Sequence, residues 1–154
     1  MAREAVDLVD LVENVVAAHS LPARAKLMHT ELTLQARRCL AEPALLISVM
    51  DNLYSNAVHY GAESGNIRIH SYRHGEQVRI DVANSGEPIP AAEKNMIFEP
   101  FYQGSHQRKG AVKGSGLGLS IARDCVRQMQ GELSLVDAPA GQVCFRITLP
   151  SAPE

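Results

Sequence analysis

The chain has 154 residues, of which 45% are apolar and 21% are charged, and its formal net charge is −2. This length and composition suit one globular domain with a single core, and the charge gives the domain as a whole no electrostatic reason to bind nucleic acid or an acidic membrane. Three cysteines without CxxC spacing argue against a disulfide framework or a zinc site and favour buried thiols in a reducing compartment. No apolar run approaches the roughly 20 residues that cross a bilayer.

The first part of the chain predicts helices and strands in alternation. Apolar residues at helical spacing predict a helix over residues 6–19 that ends before Pro22. Alternating apolar and polar residues predict a strand over residues 29–35, and a short second strand follows near Cys39. A long helix is then predicted over residues 42–60.

The remaining elements are mostly strands. Two strands are predicted over residues 67–72 and 78–83, a short helix over 91–98, a helix over 119–129, and a hairpin over 132–136 and 143–149. This mixed order predicts an α+β sandwich of two layers, in which about three helices cover one face of a mixed, mostly antiparallel sheet.

The long helix carries polar residues in unusual places. Asn52 and Asn56 lie four residues apart and therefore on one edge of its apolar face, with His59 and Tyr60 one turn further along. Asparagine is a mediocre helix former, so two of them in mid-helix indicate either satisfied polar groups at the core boundary or a binding site.

A glycine-rich stretch favours the second interpretation. Residues 100–123 contain no acidic side chain, and Gly118 leads directly into a predicted helix. Mobile backbone, local positive charge and a helix N-terminus together predict a phosphate site, although a plain surface loop can share this composition. The spacing matches neither the Walker A loop nor the dinucleotide-binding fingerprint. The basic residues of the stretch are Arg108, Lys109, Lys113 and Arg123.

Four segments, in order, resemble the boxes of a known family. Residues 51–61 (DNLYSNAVHYG) resemble an N box, 81–90 (DVANSGEPIP) a G1 box, 97–104 (IFEPFYQG) an F box and 113–122 (KGSGLGLSIA) a G2 box. The ordered set resembles the ATP-binding domain that histidine kinases share with the gyrase, Hsp90 and MutL class of ATPases, and the F and G2 boxes favour the histidine kinases.

This resemblance implies a Bergerat ATP-binding fold with a mobile lid over residues 102–115. The whole chain, residues 1–154, would be a single catalytic domain from the cytoplasmic side of an inner-membrane sensor kinase, and its sensor, membrane spans and dimerisation hairpin would be absent. It would use ATP and Mg²⁺, act on a histidine of its own hairpin, and signal to a response regulator. The domain alone would be monomeric and the full-length kinase a homodimer.

The resemblance also assigns roles to residues. Asn56 would ligate Mg²⁺ through its amide oxygen, and Asn52 is the second catalytic position. Asn84 would accept a hydrogen bond from the adenine amino group, and Phe98 and Phe101 would anchor the lid. The other positions assigned to ATP binding are His59, Tyr60, Gly86, Ile89, Arg108, Lys109, Lys113, Gly114, Ser115, Gly116, Leu117, Gly118 and Leu119.

Three positions depart from the family pattern. Asn84 replaces an aspartate, Pro88 replaces a glycine, and His59 replaces a lysine or arginine. Each change predicts weaker nucleotide affinity, because charge or backbone freedom is lost. A nucleotide-sensing module without efficient transfer is therefore an alternative to the kinase.

Asn52 disfavours a hydrolytic ATPase, because asparagine cannot serve as a general base where those relatives have a glutamate.

Overall fold

The computed structural model describes residues 3–100, 102 and 118–153. It contains seven strands, four α-helices and one 3₁₀ turn within those residues. In chain order these are β1 (Glu4–Asp7), α1 (Leu8–Ala18), α2 (Ser20–Ala25), β2 (His29–Leu34), β3 (Arg38–Ala41), α3 (Pro43–Tyr60), β4 (Asn66–His74), β5 (Gln77–Ser85), the 3₁₀ turn (Ala91–Glu93), α4 (Gly118–Gln128), β6 (Glu132–Val136) and β7 (Gln142–Pro150).

The main sheet has five strands in the order β2-β4-β5-β7-β6. The pair β2–β4 is parallel, and the other three pairs are antiparallel. A separate antiparallel pair joins β1 to β3. The predicted α+β class, with a mixed and mostly antiparallel sheet, is confirmed.

The core lies between one face of the sheet and the helices. Inward side chains alternate along the strands, as in β5, where Val78, Ile80 and Val82 are buried. They form one cluster with the buried residues of α1, α3 and α4. The opposite face is polar: Asp81 and Arg146 are register partners on β5 and β7, and Arg146 Nε donates to Asp81 Oδ1 at 2.8 Å.

The N-terminal prediction is wrong in two respects. Residues 6 and 7, predicted to start the helix, instead end strand β1, and α1 begins at Leu8 because Asp7 caps it, accepting from the amide of Val9 at 2.9 Å. A further helix, α2, contains Pro22. Proline is tolerated there because it lies in the first turn, whose amides have no partner within the helix.

The long helix α3 is confirmed, and its ends have clear causes. The side chain of Glu42 accepts from the amides of Ala44 and Leu45, and Pro43 occupies the first turn. At the other end Gly61 has an ordinary φ of −68°. Space is the reason for glycine here, since a Cβ would lie 2.5 Å from the backbone carbonyl oxygen of Ala57, as well as 2.4 Å from Met28 Cε.

The short helix predicted after Pro90 is reduced to the 3₁₀ turn, followed by irregular turns as far as residue 100. Strands β4 and β5 extend beyond their predicted ends, and α4 and the β6–β7 hairpin are confirmed. Among the described residues, no helix combines the length and hydropathy needed to cross a bilayer.

Candidate functional site

Helix α3 places both predicted asparagines at the edge of the core. Asn52 and Asn56 are each partly buried, one turn apart. Asn52 Oδ1 is buried and has no hydrogen-bond partner among the residues that the structure describes. A buried amide oxygen without a partner is costly, so this atom indicates a position where a bound group or water would be stabilised.

The N-terminus of α4 lies against Asn52. A Cβ at Gly118 would stand 2.5 Å from Asn52 Nδ2, a distance that no side chain could tolerate without displacing the amide. The two helices thus bring together one predicted catalytic residue and one predicted phosphate-binding residue that are 66 positions apart. The N-terminus of a helix favours an anion, because its first amides are unpaired and its dipole is positive.

The end of β5 forms a second group of predicted residues. Asn84 is only 8% exposed, and its Nδ2 donates to the carbonyl of Ser85 at 3.0 Å. A Cβ at Gly86 would lie 3.2 Å from both Asn84 Nδ2 and the carbonyl oxygen of Tyr60. Asn84, Gly86 and Tyr60 are therefore in close contact, and a side chain at Gly86 would separate them.

The last turn of α3 carries two aromatic rings. The rings of His59 and Tyr60 meet edge to face, with centroids 4.4 Å apart. Burial raises the pKa of the Tyr60 hydroxyl. The atom of this pair that lies near Gly86 is the backbone carbonyl oxygen of Tyr60.

Phe98 provides a further apolar anchor. It is buried, packs edge to face on Phe145 with centroids 6.1 Å apart, and has the guanidinium of Arg123 over its ring at 4.7 Å. Ile89 and Leu119 are partly buried and pack on the same core. The sequence indicated Arg123 only as a positive charge, and its stacking on Phe98 connects residues 25 positions apart.

The remaining predicted positions lie outside the described residues. They are Phe101, Arg108, Lys109, Lys113, Gly114, Ser115, Gly116 and Leu117, and the predicted lid over residues 102–115 lies outside them as well, apart from Tyr102.

The donor set tests whether Mg²⁺ fits this site. Within residues 3–100, 102 and 118–153, no group of three or more His, Cys, Asp or Glu side chains could hold a metal alone. The amide oxygens of Asn52 and Asn56 are hard ligands, and Mg²⁺ usually keeps several waters and takes only one or two protein ligands beside substrate phosphates. The residues present therefore fit a magnesium ion that arrives with a phosphate ligand.

Residues 41–153 match the family model described as histidine kinase-, DNA gyrase B- and HSP90-like ATPase. The chain therefore belongs to this family of ATP-binding domains.

Within the family, the chain matches sensor histidine kinases. It is 72% identical over 149 residues to sensor histidine kinase GlrK of Escherichia coli K12, and 72% identical over 147 residues to sensor histidine kinase QseE of E. coli O157:H7. These alignments cover 97% and 96% of the chain, which spans 31% of the length of each relative.

Solved structures give the same result for the fold. The catalytic domain of histidine kinase ThkA, in a nucleotide-free form, superposes with a TM-score of 0.83 at 29% identity, with complete coverage of both chains. In a second structure, ThkA is in complex with the response regulator protein TrrA. That match has a TM-score of 0.80 at 27% identity and covers 98% of this chain and 42% of the other.

Proposed function

We propose that residues 1–154 form a single catalytic domain that binds Mg-ATP between α3, the end of β5 and α4. The domain would transfer the γ-phosphoryl group to a histidine on the dimerisation hairpin of the same sensor kinase. The observation that carries this proposal is the meeting of Gly118 with Asn52, whose buried Oδ1 has no partner among the described residues.

The phosphate end of the nucleotide would be held by α3 and α4. Asn56, which the N-box resemblance assigns to Mg²⁺, lies one turn from Asn52 on the same edge of α3, and its amide oxygen is a ligand type that suits this cation. When bound, the cation would neutralise charge on the phosphate oxygens. The amides at the N-terminus of α4, together with Gly114, Gly116 and the basic residues before them, would hold the phosphates in line for transfer.

The base would be held at the end of β5. The bond from Asn84 Nδ2 to the Ser85 carbonyl fixes the side-chain amide, so its Oδ1 is free to accept from the adenine amino group. Gly86 lets the base approach the backbone, and Tyr60 and Ile89 would contact its faces. These groups position ATP and exclude water from it, which is most of what phosphoryl transfer requires of a protein.

Transfer is favoured over hydrolysis by Asn52, since an amide cannot take a proton from water. The acceptor is proposed to lie outside this chain. His19 lies at the end of α1, and its Nε2 is 2.6 Å from Asp51 Oδ1. His29, His70 and His74 lie on β2 and β4 and are exposed or partly buried, away from the contact between α3 and α4.

The wider context follows from the relatives. The identity with GlrK and QseE supports a full-length sensor kinase in the inner membrane, with this domain in the cytoplasm. The ThkA–TrrA complex supports a response regulator as the downstream partner. We further propose a monomeric isolated domain and a homodimeric full-length kinase.

One observation favours a second function. Asn84 is uncharged and donates to Ser85, so its contact with adenine would be weaker than that of an aspartate. With Pro88 and His59, this supports a nucleotide-binding regulatory module that lacks efficient transfer.

The kinase and the regulatory module can be distinguished by incubating this chain with labelled Mg-ATP and the separately produced hairpin of the full-length protein. We expect acid-labile, base-stable label on the hairpin and none on this chain, at a low rate because the tether that raises effective concentration is missing. Asn56→Ala should abolish the label. Confirmed ATP binding without label on the hairpin would select the regulatory module.

A further inference from the structure

Lys26 lies in the connection between α2 and β2, and its side chain reaches the far end of α3. Its Nζ donates to the carbonyls of Val58 at 2.8 Å, His59 at 3.0 Å and Gly61 at 2.7 Å. An ammonium has three donors, and each has an acceptor here. The last carbonyls of a helix lack partners within the helix, and a cation there also complements the helix dipole. Lys26 therefore caps the C-terminus of α3 with a side chain from another element.

Burial lowers the pKa of Lys26, and the nearby charge of Glu63 acts in the opposite direction. Desolvation of an ammonium is unfavourable, and the three carbonyl contacts offset it.

The capped turn is joined to the end of β5. The amide of Ala62 donates to the Ser85 carbonyl at 2.8 Å, and the Tyr60 carbonyl lies against Gly86. The backbone of Lys26 holds the same loop, because its carbonyl accepts from the amide of Ser64 at 2.8 Å. Side chain and backbone of Lys26 thus fix both sides of the segment that connects α3 to the adenine side of the site.

We propose that Lys26 is a positioning residue for nucleotide binding: by holding the carbonyls of residues 58, 59 and 61, it sets the place of Tyr60 against Gly86. The inference rests on the proposed function, since it assigns Lys26 to the same nucleotide site. Lys26 would act through the position of Tyr60 and not through contact with the nucleotide.

The test compares Lys26→Met with the parent domain. Methionine keeps an apolar stem of similar length and removes the ammonium, so three carbonyls lose their donor. We expect the Kd for Mg-ATP to rise about tenfold and amide exchange at Ala62 to accelerate, while amides in the β5–β7 pair keep their protection. Arg24→Met, which removes an exposed charge two residues away, is the matched control and should change neither.

Restoring the ammonium provides a second arm. Lys26→Cys treated with a haloethylamine carries an amine on a side chain of lysine length, and it should regain most of the lost affinity. The native thiols should react slowly, because burial raises the pKa of Cys39 to about 12 and of Cys144 to about 11, and also raises that of Cys125. If Lys26→Met does not fold by circular dichroism, Lys26→Gln replaces it.

The outcomes are distinct. A parent domain that fails to bind Mg-ATP overturns the proposed function, and with it the nucleotide role of Lys26. A parent that binds, with a Lys26→Met variant of lower thermal stability but the same Kd well below its melting temperature, overturns only the positioning role. If amide exchange at Ala62 is the same in Lys26→Met as in the parent, the positioning role is overturned as well.

Discussion

The backbone of Gly118 lies directly against the side chain of Asn52, so that a Cβ at Gly118 would stand 2.5 Å from Asn52 Nδ2. This contact joins two segments that a nucleotide phosphate would touch at once. Asn52 is the flexible partner, because its amide can rotate whereas the start of α4 cannot move without the helix.

Gly118→Ala should therefore displace the amide rather than unfold the domain. We expect unfolding free energy to change by about 0.5 kcal/mol or less, since alanine favours the helix, while Mg-ATP affinity falls about tenfold. In an Asn52→Ala background the same change should be nearly neutral, because the amide is gone. A double-mutant cycle by calorimetry measures this coupling. If the losses of Mg-ATP binding free energy in the two single mutants add up to the loss in the double mutant, Gly118 and Asn52 act independently and the prediction is wrong.

Asn56→Ala should largely abolish the magnesium-dependent part of ATP binding and leave the fold intact, because one oxygen ligand is removed from a partly exposed position. Titration with ATP in the presence and absence of Mg²⁺ measures the effect. Asn66→Ala, at an exposed asparagine that begins β4, is the matched control and should behave as the parent. Equal affinity of Asn56→Ala and parent in Mg²⁺ would remove Asn56 from the metal site.

Asn84→Asp should make stability depend on pH. An aspartate cannot donate to the Ser85 carbonyl, and its burial there raises its pKa above the unfolded value of about 3.9. Because the folded pKa is the higher one, the destabilisation is absent below the unfolded pKa. It grows as the pH rises from there through the folded pKa, and it is complete above the folded pKa. We expect a loss of about 1–2 kcal/mol at pH 8 and less at pH 5, by urea unfolding against the parent at both values.

Mg-ATP should reduce that loss, because the adenine amino group supplies a donor to the new carboxylate. The ligand-induced rise in melting temperature should accordingly be larger for Asn84→Asp than for the parent at pH 8. An equal or smaller rise would place the adenine amino group elsewhere.

Leu27 has a φ of 55° and is 70% exposed, so it adopts a left-handed conformation without burying its side chain. Leu27→Gly should raise the unfolding free energy by about 0.5 kcal/mol, because the strain is relieved and little packing is lost. Leu21 is 76% exposed but helical, within α2. Leu21→Gly should lower stability by up to about 1 kcal/mol, and urea unfolding of the two variants should show opposite signs.

Local sequence patterns were sufficient for the elements that carry the site. The spacing of Asn52 and Asn56 predicts one edge of a helix, and α3 presents them there. The resemblance assigns Asn84, Gly86 and Tyr60 to adenine, and in the structure Gly86 lies against the side chain of Asn84 and the backbone carbonyl of Tyr60. Their roles towards adenine stay predictions.

Contacts across the chain could not be read in this way. Lys26 donates to backbone carbonyls that lie 32 to 35 residues further along the chain. The periodicity of apolar residues predicts local helices and strands, and it gives no information on contacts at that separation. Strand β1 was missed for a related reason: its four residues are ordered by pairing with β3, while their composition fits a helix equally well.

The parallel pairing of β2 with β4 has a consequence for folding. Hairpins such as β4–β5 and β6–β7 can close locally, but β2 reaches β4 only after the chain has passed through β3 and the whole of α3. Closing such a loop early is entropically unfavourable. We therefore expect the sheet to nucleate at its hairpins and β2 to dock late. The end of α3 would then acquire its lysine cap among the final steps, and nucleotide-binding competence would follow the acquisition of most secondary structure.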